Sequence, residues 1–313
     1  MELSSSAPGG MPTPIDEGPE VIELRAGRAR RSLVGMMSMT GLPVVFILLF
    51  VVAPLALMLL YSFWRVQGTD IVPQWTLQNY IDFFNKPLFY QQALKSLRVA
   101  GFVSITCLVL GYPAAYLISQ EPPRRRNLLL LLTTLPMWSS YVVRIYAWRT
   151  ILGLDGVLNS FMLSTGMIRE PIAAISFSQF AVYVTLSNYL LPFMIMPLVT
   201  TLEKIPPSQV DAAKDLGSSF WQVHGRILIP LSLPGMFVGF MNVFIVAMAD
   251  YLTPKLVGGT DGLMIGNVIQ SEFGPAFNWP LGAAATYVSA TIALAIILGV
   301  RWWTHRRENE VKF

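Results

Sequence analysis

The sequence predicts an all-α, polytopic membrane protein with six transmembrane helices, and three observations carry that reading. The first is composition: 54% of the 313 residues are hydrophobic and 13% are charged, with a mean hydropathy of +0.54. A soluble domain carries about 25% charged residues. The second is spacing. Marking every Asp, Glu, Lys and Arg leaves six long neutral windows, Ser32 to Trp64, Val99 to Gln120, Asn127 to Val143, Pro171 to Leu202, Ile227 to Ala249 and Phe273 to Val300. Each can hold a helix of the roughly 20 apolar residues that cross the hydrocarbon layer. The third is charge asymmetry. With both termini inside, 14 of the 22 Lys and Arg fall in cytoplasmic segments, as the positive-inside rule requires.

Taken in order, residues 1–40 open with a stretch from Ser4 to Pro19 rich in Ser, Pro and Gly and without an apolar period. It reads as a disordered cytoplasmic tail. Arg30-Arg31-Ser32-Leu33 has the look of a twin-arginine export signal, but the apolar run after it is too long and five more spans follow. Helices are expected near 43–63, 97–118, 128–149, 174–200, 228–252 and 281–303. The third window is the shortest, so its helix must run past Arg144 toward Trp148. Pro54, Pro113, Pro136, Pro192 and Pro197 fall inside these spans, where a missing backbone donor is tolerated if neighbours or cavity water satisfy the freed carbonyl. The chain thus divides into the tail 1–40, a transmembrane domain 41–303 that contains the loop 201–226, and a cytoplasmic tail 304–313. One cysteine, Cys107, excludes an internal disulfide, and His224 and His305 are too few for a His-rich metal site. No cofactor and no nucleic-acid partner is expected.

The loop between the fourth and fifth spans carries a specific grammar. Pro206-Pro207 breaks the incoming helix, Ser208 is placed as an N-cap, and 209–216 make two turns with Val210, Ala213 and Leu216 on one side. Gly217 is placed to end them in a left-handed conformation. Asp211, Ala212, Ala213 and Asp215 give this short helix an acidic, small-residue surface that another protein can approach closely. His224, further along the loop, reads as a solvated or partner-facing side chain.

The pattern Asp211-Ala212-Ala213, three residues, Gly217, nine residues, Ile227, one residue, Ile229-Pro230 resembles the Glu-Ala-Ala-x3-Gly-x9-Ile-x-Leu-Pro signature of permease subunits in binding-protein-dependent ABC importers, with Asp for Glu at 211 and Ile for Leu at 229. Further stretches, Trp75 to Tyr80, Leu135 to Trp138, Arg144 to Trp148, Leu190 to Leu198, Gly266 to Ile269 and Asn278 to Pro280, are similar to the spermidine/putrescine permeases of the PotB/PotH-like type. The resemblance covers about residues 60 to 305 and implies a type I ABC importer permease fold in a bacterial inner membrane. It also implies a cytoplasmic ABC ATPase dimer docked on the coupling helix Asp211 to Gly217, a second homologous permease subunit, and a periplasmic substrate-binding protein. Relatives that import γ-aminobutyrate, opines or aminoethylphosphonate look similar.

No Gly-x4-Gly-Lys-Ser/Thr loop occurs in the chain, so ATP hydrolysis is expected on the partner and no catalytic residue is assigned here. Charges at membrane depth cost about 2.5 to 3.5 kcal/mol, which singles out Arg144, Arg149, Asp250 and Glu272. Asp250 closes the fifth span, Tyr251 beside it offers an aromatic face, and Trp138 and Tyr141 near the third span offer the same from across a pathway. Carboxylates with aromatic walls suit a polyamine through charge pairing and cation–π contacts. The alternative for Asp250 is an ion pair with Arg144 or Lys255. Rival classes are a secondary transporter, which would show two inverted-repeat halves, and a membrane scaffold, which needs no coupling pattern.

Overall fold

The computed structural model describes residues 41–311 apart from 42 and 69, with side chains as far as Trp302. The expected tail 1–40 lies outside the described residues. Contacts divide the chain into two units, Met1–Met58 and Leu59–Phe313. Helix α1 (Pro43–Tyr61) is long and apolar enough to cross a membrane, and none of its residues is buried. It contains a π-helical segment, Leu48–Val52, immediately before Ala53 and Pro54.

The larger unit begins with an antiparallel pair, β1 (Arg65–Gln67) and β2 (Asp70–Val72), a local departure from the expected all-helical chain. Then come α2 (Gln78–Asn85) and α3 (Pro87–Gln120), the latter starting ten residues earlier than the helix expected at 97–118, with Pro87 in its first turn. α4 (Pro123–Thr134) passes into a 3-10 turn at Leu135–Trp138 and is followed by α5 (Tyr141–Leu152) and α6 (Val157–Ser164). The expected single helix over 128–149 is therefore corrected. Pro136 has no amide to continue the ladder and Ser139 and Ser140 are extended, so Pro123–Trp138 and Tyr141–Ser164 are bent by 86°. α7 (Gln179–Leu202), α8 (Pro207–Asp215) and α9 (Phe220–Ala249) complete the centre. α10 (Leu252–Val257), α11 (Ile265–Phe273) and α12 (Trp279–Val311) close the chain. Helix α12 runs through 304–311, so most of the expected C-terminal tail is helical.

Five described helices are long and apolar enough to span a membrane, and the bent pair makes a sixth if it is one span. Between helices in lipid, close van der Waals packing replaces the hydrophobic drive. Here α3, α7 and α9 pack through fully buried Val99, Val103, Cys107, Leu186, Leu190, Met194, Leu198, Val243 and Ala247. Glycines let the backbones approach. A Cβ on Gly239 would stand 2.6 Å from the Met194 sulfur, and one on Gly235 would stand 2.8 Å from the Pro197 carbonyl oxygen. A second cluster, with Phe83, Phe89, Ile265, Val268 and Leu281, ties α2 and α3 to α11 and α12.

Candidate functional site

Two regions gather the residues singled out in the sequence. The first is the connection between α7 and α9. Pro206 and Pro207 stop α7 and start α8, with Pro206 at the N-cap and Pro207 in the first turn, so Ser208 lies inside the helix rather than capping it. At the other end Ser218 N donates to Ala213 O (3.0 Å) and Gly217 N donates to Lys214 O (2.8 Å), the paired bonds of a Schellman end. That geometry needs a left-handed residue, and Gly217 has φ +82° with open space where a Cβ would stand. Ser219 and Gln222 then form a reciprocal capping box that starts α9.

No residue of α8 is buried. Asp211, Ala212 and Asp215 are exposed, Ala213 is half-buried, and Asp211 pairs with Lys214 at 3.7 Å. Beyond the helix, Leu216 is 87% and Trp221 80% exposed, which leaves large apolar side chains in open space beside an acidic helix. An ion pair between Arg126 and Glu203 (3.3 Å) joins the start of α4 to the end of α7 directly above this connection. Arg126, Glu203, Val210 and Asp211 border a cleft of about 270 Å³ between the connection and the helix ends. His224 is corrected: its ring is 7% exposed, with Phe220 at 4.0 Å, Tyr116 at 4.6 Å and Nδ1 against the Phe220 carbonyl at 3.0 Å. It is a packing residue at the π-helical start of α9, closed in by three rings that arrive from α3 and its own helix.

The second region lies where α5 meets the end of α9. Tyr141 OH donates to Asp250 Oδ2 at 2.5 Å, and Thr253 Oγ1 stands 2.5 Å from the same phenol oxygen. Because the phenol O–H is directed at Asp250, Thr253 is the donor to Tyr141. The other carboxylate oxygen accepts from the amides of Leu252 (2.9 Å) and Thr253 (3.4 Å), capping α10. No ion pair joins Asp250 to Arg144 or Lys255 among the described residues, so that alternative is corrected. The Arg144 guanidinium instead lies 4.6 Å over the Tyr189 ring, which in turn packs 4.6 Å from Tyr141. Asn267 Nδ2 holds the Tyr251 carbonyl (2.7 Å), and its Oδ1 accepts from Met264 N (3.0 Å), which ties α11 to the junction.

The structure thus brings Tyr141 and Asp250 into direct contact and places Tyr251, 43% exposed, beside them on a separate cavity wall. Trp138, 76% exposed on the turn before the break, has no hydrogen bond or ring contact with the other three. Tyr189 and Thr253 were not foreseen. Tyr189 sits in the long uncharged window of the fourth span and Thr253 close to the first residue of α10, so neither carries a pattern of its own.

Residues 107–305 match the family of binding-protein-dependent transport system inner membrane components. The chain belongs to that family. It is 38% identical over 265 residues to the spermidine/putrescine transport system permease protein PotB of Escherichia coli K12, covering 84% of this chain and 95% of the relative. It is 36% identical over 264 residues to the PotB of Haemophilus influenzae, covering 84% and 91%. The fold is also that of a chain in the crystal structure of a bacterial alginate ABC transporter in complex with an alginate pentasaccharide-bound periplasmic protein. That match has TM-score 0.69 at 17% identity and covers 90% of this chain and 97% of the other. As a family member, the chain is a multi-pass inner-membrane permease, and its α7–α9 connection holds the stretch that carries the family-like pattern.

Proposed function

We propose that this chain forms half of the translocation pathway of a polyamine importer, taking spermidine or putrescine from a periplasmic binding protein and coupled to a cytoplasmic ABC ATPase dimer. The second half of the pathway comes from a homologous permease. The observation that carries the reading is the 36 to 38% identity to spermidine/putrescine permeases over 84% of the chain. Both termini and the α7–α9 connection face the cytoplasm in this reading, as the distribution of Lys and Arg supports.

The division of labour follows from the residues. Asp211, Ala212, Ala213 and Asp215 present a small, acidic helix surface, Gly217 ends it, and exposed Leu216 and Trp221 supply the apolar anchors that a docking partner buries. Movement of that helix reaches the spans through the Arg126–Glu203 pair and the capping box that starts α9. On the opposite side, Trp138, Tyr141, Asp250 and Tyr251 border the pathway. Tyr141 and Asp250 hold α5 against α10, while Tyr251 and Trp138 offer exposed rings. Bond-breaking chemistry stays on the ATPase.

Uptake into vesicles with the matched binding protein tests the reading against its neighbours. ATP-dependent uptake of spermidine or putrescine, without uptake of γ-aminobutyrate, is expected. Uptake of γ-aminobutyrate alone would replace the polyamine assignment.

A further inference from the structure

The connection between the first two spans holds helix α2 (Gln78–Asn85), whose residues form three different surfaces. At about 100° per residue, Asn79 and Phe83 fall on one side and are buried, at 9% and 1% exposure. Gln78, Asp82 and Lys86 follow on the next side as a polar row, with Gln78 Nε2 donating to Asp82 Oδ1 at 2.7 Å and Lys86 paired with Asp82 at 2.9 Å. Ile81 and Phe84 occupy the third side, joined by Leu77 at the N-cap. These three apolar side chains are 48%, 60% and 61% exposed, and no partner covers them.

The buried side fixes the level of α2 in the molecule. Asn79 Nδ2 donates to the carbonyls of Ser62 (2.9 Å) and Trp64 (2.8 Å), which directly follow α1, and Tyr80 OH meets Ser62 Oγ at 2.7 Å. Phe83 shares a buried cluster with Leu281 and Ala285, on the first turns of the membrane-length helix α12. Helix α2 therefore lies beside the points where two spans leave the apolar layer. Trp75, packed on the Phe63 ring at 5.7 Å, and Trp279, at the start of α12, stand next to it, and Trp is enriched where a bilayer meets water.

We infer that α2 is an interfacial helix, with Leu77, Ile81 and Phe84 seated in one leaflet at the boundary of headgroups and acyl chains. Its eight residues rise only about 12 Å, too little to span. A helix with one apolar and one polar face instead lies in the plane of the interface, its apolar side sunk about 5 to 10 Å. The occupant follows from direction and depth together. The apolar side is roughly opposite the packed one, so it points sideways out of the bundle at the level of the span ends, where lipid lies. The row of Gln78, Asp82 and Lys86 turns to the headgroups and water. A soluble protein arriving from the water side would meet that charged row first. In the orientation proposed above this is the outer leaflet, and Asn79 ties the end of α1 to the anchored helix.

The test uses the whole importer in proteoliposomes, with its ATPase, second permease and binding protein. A nitroxide is attached through Phe84→Cys or, separately, Ile81→Cys, with Gln78→Cys as the reference for the polar side. Native Cys107 is fully buried, and unmodified protein gives the blank. Collision with oxygen, which concentrates among acyl chains, is compared with collision with a nickel chelate, which stays in water. Oxygen is expected to dominate at positions 81 and 84 and the nickel chelate at 78, a reversal of the accessibility ratio across one helix. Dominance of the nickel chelate at 81 or 84 places that face in water and overturns the inference. Low collision with both reagents there means that protein covers the face, and overturns it as well; if the low values appear only when binding protein is added, that protein is the occupant. Should one labelled variant not assemble, the other decides alone.

Discussion

Asp250 closes a membrane helix, and its carboxylate is committed to the fold: one oxygen accepts from two amides at the start of α10 and the other accepts a hydrogen bond from the Tyr141 hydroxyl. Removing the cap costs about 1 kcal/mol, and a hydrogen bond to a charged group contributes about 1.5 to 3 kcal/mol. Asp250→Ala loses both, whereas Asp250→Asn keeps an oxygen for the amides. Thermal denaturation of the purified complex is expected to rank unmodified above Asn and Asn above Ala; equal melting of Asn and Ala would remove the capping role. Glu272 is the contrasting carboxylate. Burial raises its pKa above the ordinary value, with Lys86 opposing. A folded pKa above the unfolded one gives stability that is full below the unfolded carboxylate range and lost as pH rises through the folded value. Glu272→Gln is therefore expected to melt above the unmodified protein at neutral pH, with the gap closing near about pH 4. A gap that widens on acidification would contradict the burial argument.

At the scale of elements, α7 and α9 meet on glycines that no hydropathy window distinguishes from other apolar residues. A Cβ at position 235 meets a backbone carbonyl that cannot rotate away, while at 239 it meets the flexible Met194 side chain and at 225 nothing within 4 Å. Overpacking costs about 1 to 3 kcal/mol, so Gly235→Ala should lower yield and melting temperature more than Gly239→Ala, with Gly225→Ala closest to unmodified. Indistinguishable behaviour of 235 and 225 would mean the helices are not in this contact. The spans themselves were legible because ions are excluded from lipid and the charge gaps mark them directly. The Gly217 helix end was legible too, since a glycine after two helical turns has few other uses. The break after Trp138 was not, because a composition window counts apolar residues and is blind to where Pro136 and two serines turn the backbone. Burial of His224 escaped for a similar reason: the rings that enclose it arrive partly from α3, more than a hundred residues earlier. At Asp250 the carboxylate was visible in the sequence but its partner was not, since Tyr141 reaches it only after the bend.

For the whole molecule, the two regions lie at opposite ends of α9, with Phe220 at one end and Ala249 at the other. That single helix, packed on α3 and α7, physically connects the exposed α8 end with the junction at Asp250. The central claim is that hydrolysis on a partner is linked to passage through this chain by the α8 helix and its glycine end. A left-handed residue costs a side chain with a Cβ about 1 to 2 kcal/mol, and Asn tolerates that conformation better than a β-branched residue. With open space around Gly217, the penalty is one of backbone conformation and not of contact. The decisive measurement is ATP hydrolysis by the reconstituted importer with and without polyamine-loaded binding protein, in unmodified, Gly217→Asn and Gly217→Val forms. Stimulation by the loaded binding protein is expected to persist in the unmodified and Asn forms and to be lost or sharply reduced in Val; equal stimulation in all three would contradict the account.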